Sequence, residues 1–146
     1  MISSLSWWLS EYKLSGFRFD LMGLHDVETM NAIATALRNI KSDVILYGEG
    51  WDMYRAGKMI PASMLQSRKL PDYGFFNDAF RCGAKGSAFK PHEAGFVHDG
   101  SHLESVKFGI VGSVYHQQVH NRHVDGTVNP NPWSDRTAAS VNYTEI

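Results

Sequence analysis

The sequence predicts an α/β fold in which short parallel strands alternate with helices, on three observations. Two apolar runs, "GFRFDLMG" at 16–23 and "DVILYGEGW" at 43–51, break at glycines and bracket a stretch of helical period. A strand, helix, strand order of this length requires parallel pairing through a right-handed crossover. Two further aromatic or β-branched runs, "YGFFNDAFRCG" at 73–83 and "ASVNYTEI" at 139–146, then supply a third and a fourth strand. Four strands with intervening helices make either a small open sheet or an arc of a (β/α) barrel, whose closed form takes about 250 residues.

The elements follow in order. Leu5, Trp8, Leu9 and Tyr12 recur at helical spacing in "MISSLSWWLSEYKL", predicting an amphipathic helix packed on that face and ending at Leu14-Ser15-Gly16. Asp26 caps the next helix, whose apolar face is Met30, Ile33, Ala34, Leu37 and Ile40. Val44, Ile45, Leu46 and Tyr47 form a strand stopping at Gly48. Residues 52–70 read as loop with a short helix, and the third strand ends near Asn77-Asp78. Residues 102–112 read as helix, and His116 to Asp135, rich in Gly, Asn, Pro and His, as loop. The last strand runs to the chain end with nothing to close it, so the expectation is a cut domain over residues 1–146.

Composition narrows the partners. The chain has 146 residues, 14 basic and 15 acidic, for a formal charge of −1, which argues against nucleic acid or a strongly acidic partner. No apolar run approaches the roughly 18 residues of a membrane span, and no basic start precedes an apolar segment, so neither membrane anchor nor secretion signal is expected. The lone Cys82 forms no internal disulfide and is expected as a small, partly buried side chain. His116, His120 and His123 have a spacing that on a helix would gather three imidazoles, but the glycines and prolines after them favour a solvated loop. His98, Asp99 and His102 receive the same reading, so no metal and no cofactor is expected.

The chemistry lies in the charges. Residues two apart on a strand share a face, so Arg18 and Asp20 point one way while Phe17 and Phe19 point the other. A structural ion pair would explain these two alone. Glu49, in "YGEGW", adds a second carboxylate at the end of the following strand, flanked by glycines expected to let the backbone turn. Retaining glycosidases use such a pair about 5 Å apart, close to the roughly 4.8 Å between neighbouring strands. Trp51 offers an apolar plate for a sugar ring. A dinucleotide-binding turn fails, because its third glycine would fall on Met53.

These stretches resemble type I pullulanases, in the alpha-amylase clan of glycoside hydrolases. "GFRFDLMG" and "YGEGW" are similar to the two catalytic strand ends of that family, and "FFNDAFRCGAKGSAF", "GFVHDG" and "KFGIVGS" to further stretches in order. The resemblance implies a partial (β/α)8 TIM barrel, roughly its fourth to seventh strands with their helices. It also implies cleavage of α-1,6 branch linkages in pullulan, glycogen or starch-derived dextrins with retention of configuration. Asp20 would then be the nucleophile, Glu49 the general acid/base, Arg18 the partner orienting Asp20, and Trp51 a cleft residue.

Departures from the family sharpen the expectation. Its third catalytic aspartate, in a His-Asp-Asn motif after the strand similar to "SVNYTEI", has no match here, nor does its earlier Asn-His strand. The expectation is therefore an incomplete catalytic barrel, weakly active or inactive alone, with open strand edges available for self-association. A non-catalytic carbohydrate-binding or assembly module from the same barrel is the alternative, and a complete open α/β binding protein a third. Retention of both Asp20 and Glu49 favours the enzyme.

Overall fold

The structure is a computed structural model that describes residues 1–53, 57–87, 89–90, 92–124 and 132–144. Among them are five α-helices and four short strands, in the order α1 (Ile2–Glu11), β1 (Gly16–Phe19), α2 (Val27–Ile40), β2 (Ile45–Gly48), β3 (Tyr73–Phe76), α3 (Asp78–Lys85), α4 (Phe96–Asp99), α5 (Leu103–Ile110) and β4 (Ser140–Val141). The paired registers are parallel, β1 with β2 and β3 with β4, as the α/β expectation required. The chain divides into two compact units, Met1–Gly74 and Phe75–Ile146.

In the first unit β1 and β2 pair in the register Gly16↔Ile45 through Phe19↔Gly48. Asp26 caps α2 as expected: its Oδ1 accepts from the Thr29 N–H at 2.8 Å and its Oδ2 from the Thr29 hydroxyl at 2.7 Å. Met30, Ile33, Ala34 and Leu37 are buried, and Val44, Leu46 and Phe19 join them in the core. Burying each of the larger of these side chains is worth about 1.5–3 kcal/mol. Ile40, expected on the same face, is exposed, because it sits in the last helical turn where the chain leaves the core. Tyr73, fully buried, donates its hydroxyl to the Met30 carbonyl at 2.7 Å, and burial pushes its ionisation well above the ordinary range.

Helix α1 corrects a second expectation. It touches α2, but of the expected face Leu9 is buried while Trp8 and Tyr12 lie exposed beside Trp7. The three rings pack on one another, with centroids 4.6–5.3 Å apart, so they shield each other instead of entering the core.

The second unit departs most from expectation. The third strand stops at Phe76, and Asn77, expected in the strand, caps a helix: its side chain accepts from the Phe80 N–H at 3.1 Å. Helix α3 was not expected, because its buried face is Asp78, Ala79, Arg81, Gly83 and Ala84 and shows no apolar period. It packs on α5, whose Ser105, Phe108 and Gly109 are buried. The last strand covers Ser140–Val141 alone, with a short 3-10 turn at Thr137–Ala139 before it; residues 145 and 146 lie outside the described residues. Residues 116–124 are loop with a 3-10 turn at Asn121–His123, tied to α5 where the His120 N–H donates to Glu104 at 2.6 Å. Residues 125–131 of that expected loop also lie outside the described ones.

Among the described residues, no helix is long and apolar enough to cross a membrane.

Candidate active site

The site is assembled at the C-terminal ends of β1 and β2, within the first unit. Phe19 pairs with Gly48, and the Glu49 N–H donates to the Phe19 carbonyl at 3.0 Å, so Asp20 and Glu49 follow at matching positions on adjacent strands. Strand alternation buries Phe19 and leaves Arg18 and Asp20 outward. Tyr47, in register with Arg18, shares that face.

Arg18 links the two carboxylates. Its Nη1 donates to Asp20 Oδ1 at 2.7 Å and its Nη2 to Glu49 Oε1 at 2.9 Å. One planar guanidinium thus uses different nitrogens on the two acids and bonds both at once. The side chains are 42 % exposed for Arg18, 71 % for Asp20 and 22 % for Glu49, so the more open carboxylate is Asp20. Exposed pairs of this kind hold the fold weakly, by about 0.2–1 kcal/mol.

Glycines let the strand ends come this close, in a way that revises the sequence reading. Neither Gly48 nor Gly50 has a positive φ. Instead, a Cβ at Gly48 would stand 2.4 Å from the Phe19 carbonyl oxygen, and one at Gly23 would stand 2.0 Å from that of Trp51. Their contribution is close approach. The Gly23 N–H also donates to the Glu49 carbonyl at 3.0 Å, folding the turn after β1 onto the turn after β2.

Of the four expected site residues, Arg18, Asp20 and Glu49 are brought together by direct hydrogen bonds. Trp51 is half-buried, and its main chain lies against Gly23 while its carbonyl accepts from Met53. A feature not expected from sequence is Leu21, left-handed at φ 45° and ψ 40°, whose N–H donates to Glu49 Oε2 at 3.0 Å. This conformation costs a leucine about 1–2 kcal/mol, and no residue-type signal announces it. A cavity of about 420 Å³ in the same unit, lined by Asp26, Val27, Glu28, Lys58, Met59 and Ile60, contains none of the charged trio.

Two residues of the His-rich stretches make local turn contacts. His116 Nδ1 accepts from the Gln118 N–H at 3.2 Å, and Asp99 turns onto the Ser101 N–H at 2.9 Å. Among the described residues, no group of three or more His, Cys, Asp or Glu is placed to hold a metal ion. Cys82 is free and half-buried.

Comparison with known proteins gives a consistent result. No family model matches the chain. A pullulanase of Bacillus subtilis (strain 168) is 37 % identical over 112 residues, covering 73 % of this chain and 15 % of the relative. The crystal structure of a Paenibacillus barengoltzii pullulanase complexed with maltohexaose and alpha-cyclodextrin matches with a TM-score of 0.82 at 36 % identity, over 97 % of this chain and 21 % of that one. A type I pullulanase from Bacillus subtilis complexed with maltose matches with a TM-score of 0.83 at 31 % identity, over 99 % and 19 % of the two chains. The chain therefore spans about a fifth or less of these relatives.

Proposed function

We propose that this chain, a homologue of type I pullulanases over most of its length, carries the nucleophile and the acid/base of a retaining debranching glycosidase. The observation that carries the reading is one guanidinium bonded to two carboxylates at register-matched strand ends. Neighbouring strands lie about 4.8 Å apart, near the separation of about 5–5.5 Å that retaining glycosidases use between their two carboxyl groups.

In this reading Asp20 attacks the anomeric carbon while Glu49 gives its proton to the departing glycosidic oxygen, leaving a glycosyl ester on Asp20. Glu49 then takes a proton from water, the water attacks the same carbon, and Asp20 leaves as carboxylate. Two inversions retain the configuration. Arg18 holds Asp20 in place through its Nη1, and Trp51 offers an apolar plate to a neighbouring sugar. The linkage cleaved is the α-1,6 branch of pullulan, glycogen or starch-derived dextrins; the matched pullulanases are complexed with maltohexaose and with maltose, α-1,4-linked glucose oligomers that support binding of an α-glucan.

Residues 1–146 would then form an incomplete catalytic (β/α) barrel domain, corresponding to roughly the fourth to seventh strands. A barrel of this kind takes about 250 residues, and a 1 Å misplacement costs on the order of a hundredfold in rate, so turnover by the separated chain would be weak. Its open strand edges would favour self-association.

The test uses α-maltotriosyl fluoride, whose leaving group departs without acid assistance. The chain should release fluoride, yield the α-anomer first, and lose at least about a hundredfold in rate on Asp20→Asn. Release at the same rate by Asp20→Asn, or no protein-dependent release, overturns the reading.

A further inference from the structure

We infer that the backbone N–H of Leu21 is a positioning group for the Glu49 carboxyl, an inference that rests on the acid/base reading of Glu49. The two oxygens of that carboxyl have unlike partners. Oε1 accepts from Arg18 Nη2 at 2.9 Å, and Oε2 from the Leu21 N–H at 3.0 Å. Arg18 is a long, 42 % exposed side chain that also bonds Asp20, so its hold on Oε1 is exchangeable. Leu21 donates from the main chain and moves only if its turn moves.

That turn is fastened at several points. The Leu21 carbonyl accepts from the Leu24 N–H at 2.9 Å, the Gly23 N–H donates to the Glu49 carbonyl at 3.0 Å, and the Glu49 N–H donates to the Phe19 carbonyl at 3.0 Å. Residues 19–24 and 49 are thus bound to each other through main chain on both sides of the carboxyl. The left-handed conformation of Leu21, which a side chain with a Cβ adopts at a cost, belongs to the turn that brings this N–H to Oε2. Oε2 is therefore the anchored acceptor. Oε1 is the oxygen that gives and takes the proton, and Arg18 keeps its Nη1 bond to Asp20 while Oε1 reacts.

The experiment is NMR on the full chain labelled with nitrogen-15 and carbon-13. A scalar coupling across the hydrogen bond should connect the Leu21 amide nitrogen to the Glu49 carboxyl carbon. Glu49→Ala should abolish it and speed exchange of the Leu21 amide about tenfold, as expected for one lost hydrogen bond. Leu21→Gly, which enters the left-handed region freely and keeps the N–H, should retain the coupling, and β-branched Leu21→Val should weaken it. An absent coupling with unchanged exchange in Glu49→Ala overturns the inference, as does its loss in a folded Leu21→Gly chain. Should Glu49→Ala not fold, Glu49→Gln still offers an acceptor oxygen, and loss of the coupling there overturns it equally. No glucan turnover enters these readouts, so a chain that shows the coupling and releases no fluoride refutes the proposed activity alone.

Discussion

Arg18, Asp20 and Glu49 meet at the surface of the first unit, whereas Asn77, Ser113 and Ser140 meet inside the second. Asn77 is 1 % exposed and Ser113 fully buried, and the Asn77 amide faces Ser113 Oγ at 2.8 Å, Ser140 Oγ at 2.9 Å and Asn142 Oδ1 at 3.1 Å. Asn142 in turn donates to the Gly109 carbonyl at 2.9 Å. Both groups are networks around one nitrogen-bearing side chain. Water decides what each is worth: the interior network must be satisfied for the unit to fold, while the surface one would be hydrated equally well if undone. Strand ends can thus carry charges that contribute little to stability.

Four substitutions test that contrast, in order of decreasing loss of stability. Asn77→Ala removes the α3 cap and strands buried hydroxyls, and should cost about 3 kcal/mol in urea unfolding. A loss below about 0.5 kcal/mol would erase the distinction between the two networks. Gly48→Ala tests the close approach of β1 and β2. Its Cβ meets the Phe19 carbonyl oxygen at 2.4 Å, and overpacking of this kind should cost about 1–3 kcal/mol and displace Glu49 from Arg18.

Asp26→Ala should cost about 1 kcal/mol through the lost cap of α2. Hydrogen bonds from the Thr29 hydroxyl and N–H hold the Asp26 carboxyl below its ordinary value near 3.8. A depressed acid stabilises the fold above its unfolded value and ceases to do so as the pH falls through its folded one, so wild type and Asp26→Ala should differ at pH 7 and converge in strong acid. A difference that persists below the folded value would exclude the carboxylate as its source. Asp20→Asn should change stability least, by less than about 0.5 kcal/mol, because Asp20 is 71 % exposed. A Tm shift of several degrees would mean that Asp20 serves the fold.

The surface site was more legible in sequence than the interior network, for a physical reason. Strand alternation has a period of two, so Arg18 and Asp20 fell on one face, and the glycine-bounded run ending at Glu49 placed a second acid beside them. Leu21 was illegible because leucine has no preference for a left-handed turn; tertiary hydrogen bonds impose it. Asn77-Asp78 after an aromatic run read as a strand end, although Asn followed by Asp also begins a helix. The competing reading won because α3 buries Arg81 and Asp78 as an ion pair, with Arg81 Nη1 on the Tyr143 hydroxyl at 2.7 Å, where periodicity looks for apolar residues. Trp8 and Tyr12 failed differently. Helical spacing shows which residues share a face, and not whether that face is covered.

If Asp20 is the proposed nucleophile, it forms a covalent bond to sugar, and trapping detects that bond. An α-glucosyl fluoride with a second fluorine on the ring forms its ester quickly and hydrolyses it slowly, so even a slow enzyme accumulates label. Carboxylate attack on the anomeric carbon expels fluoride and adds one fluoroglucosyl group. Peptide mass spectrometry should find that mass on Asp20 in the wild-type chain and nowhere in Asp20→Asn. Label on another residue, equal label in both chains, or none after prolonged incubation would contradict the account.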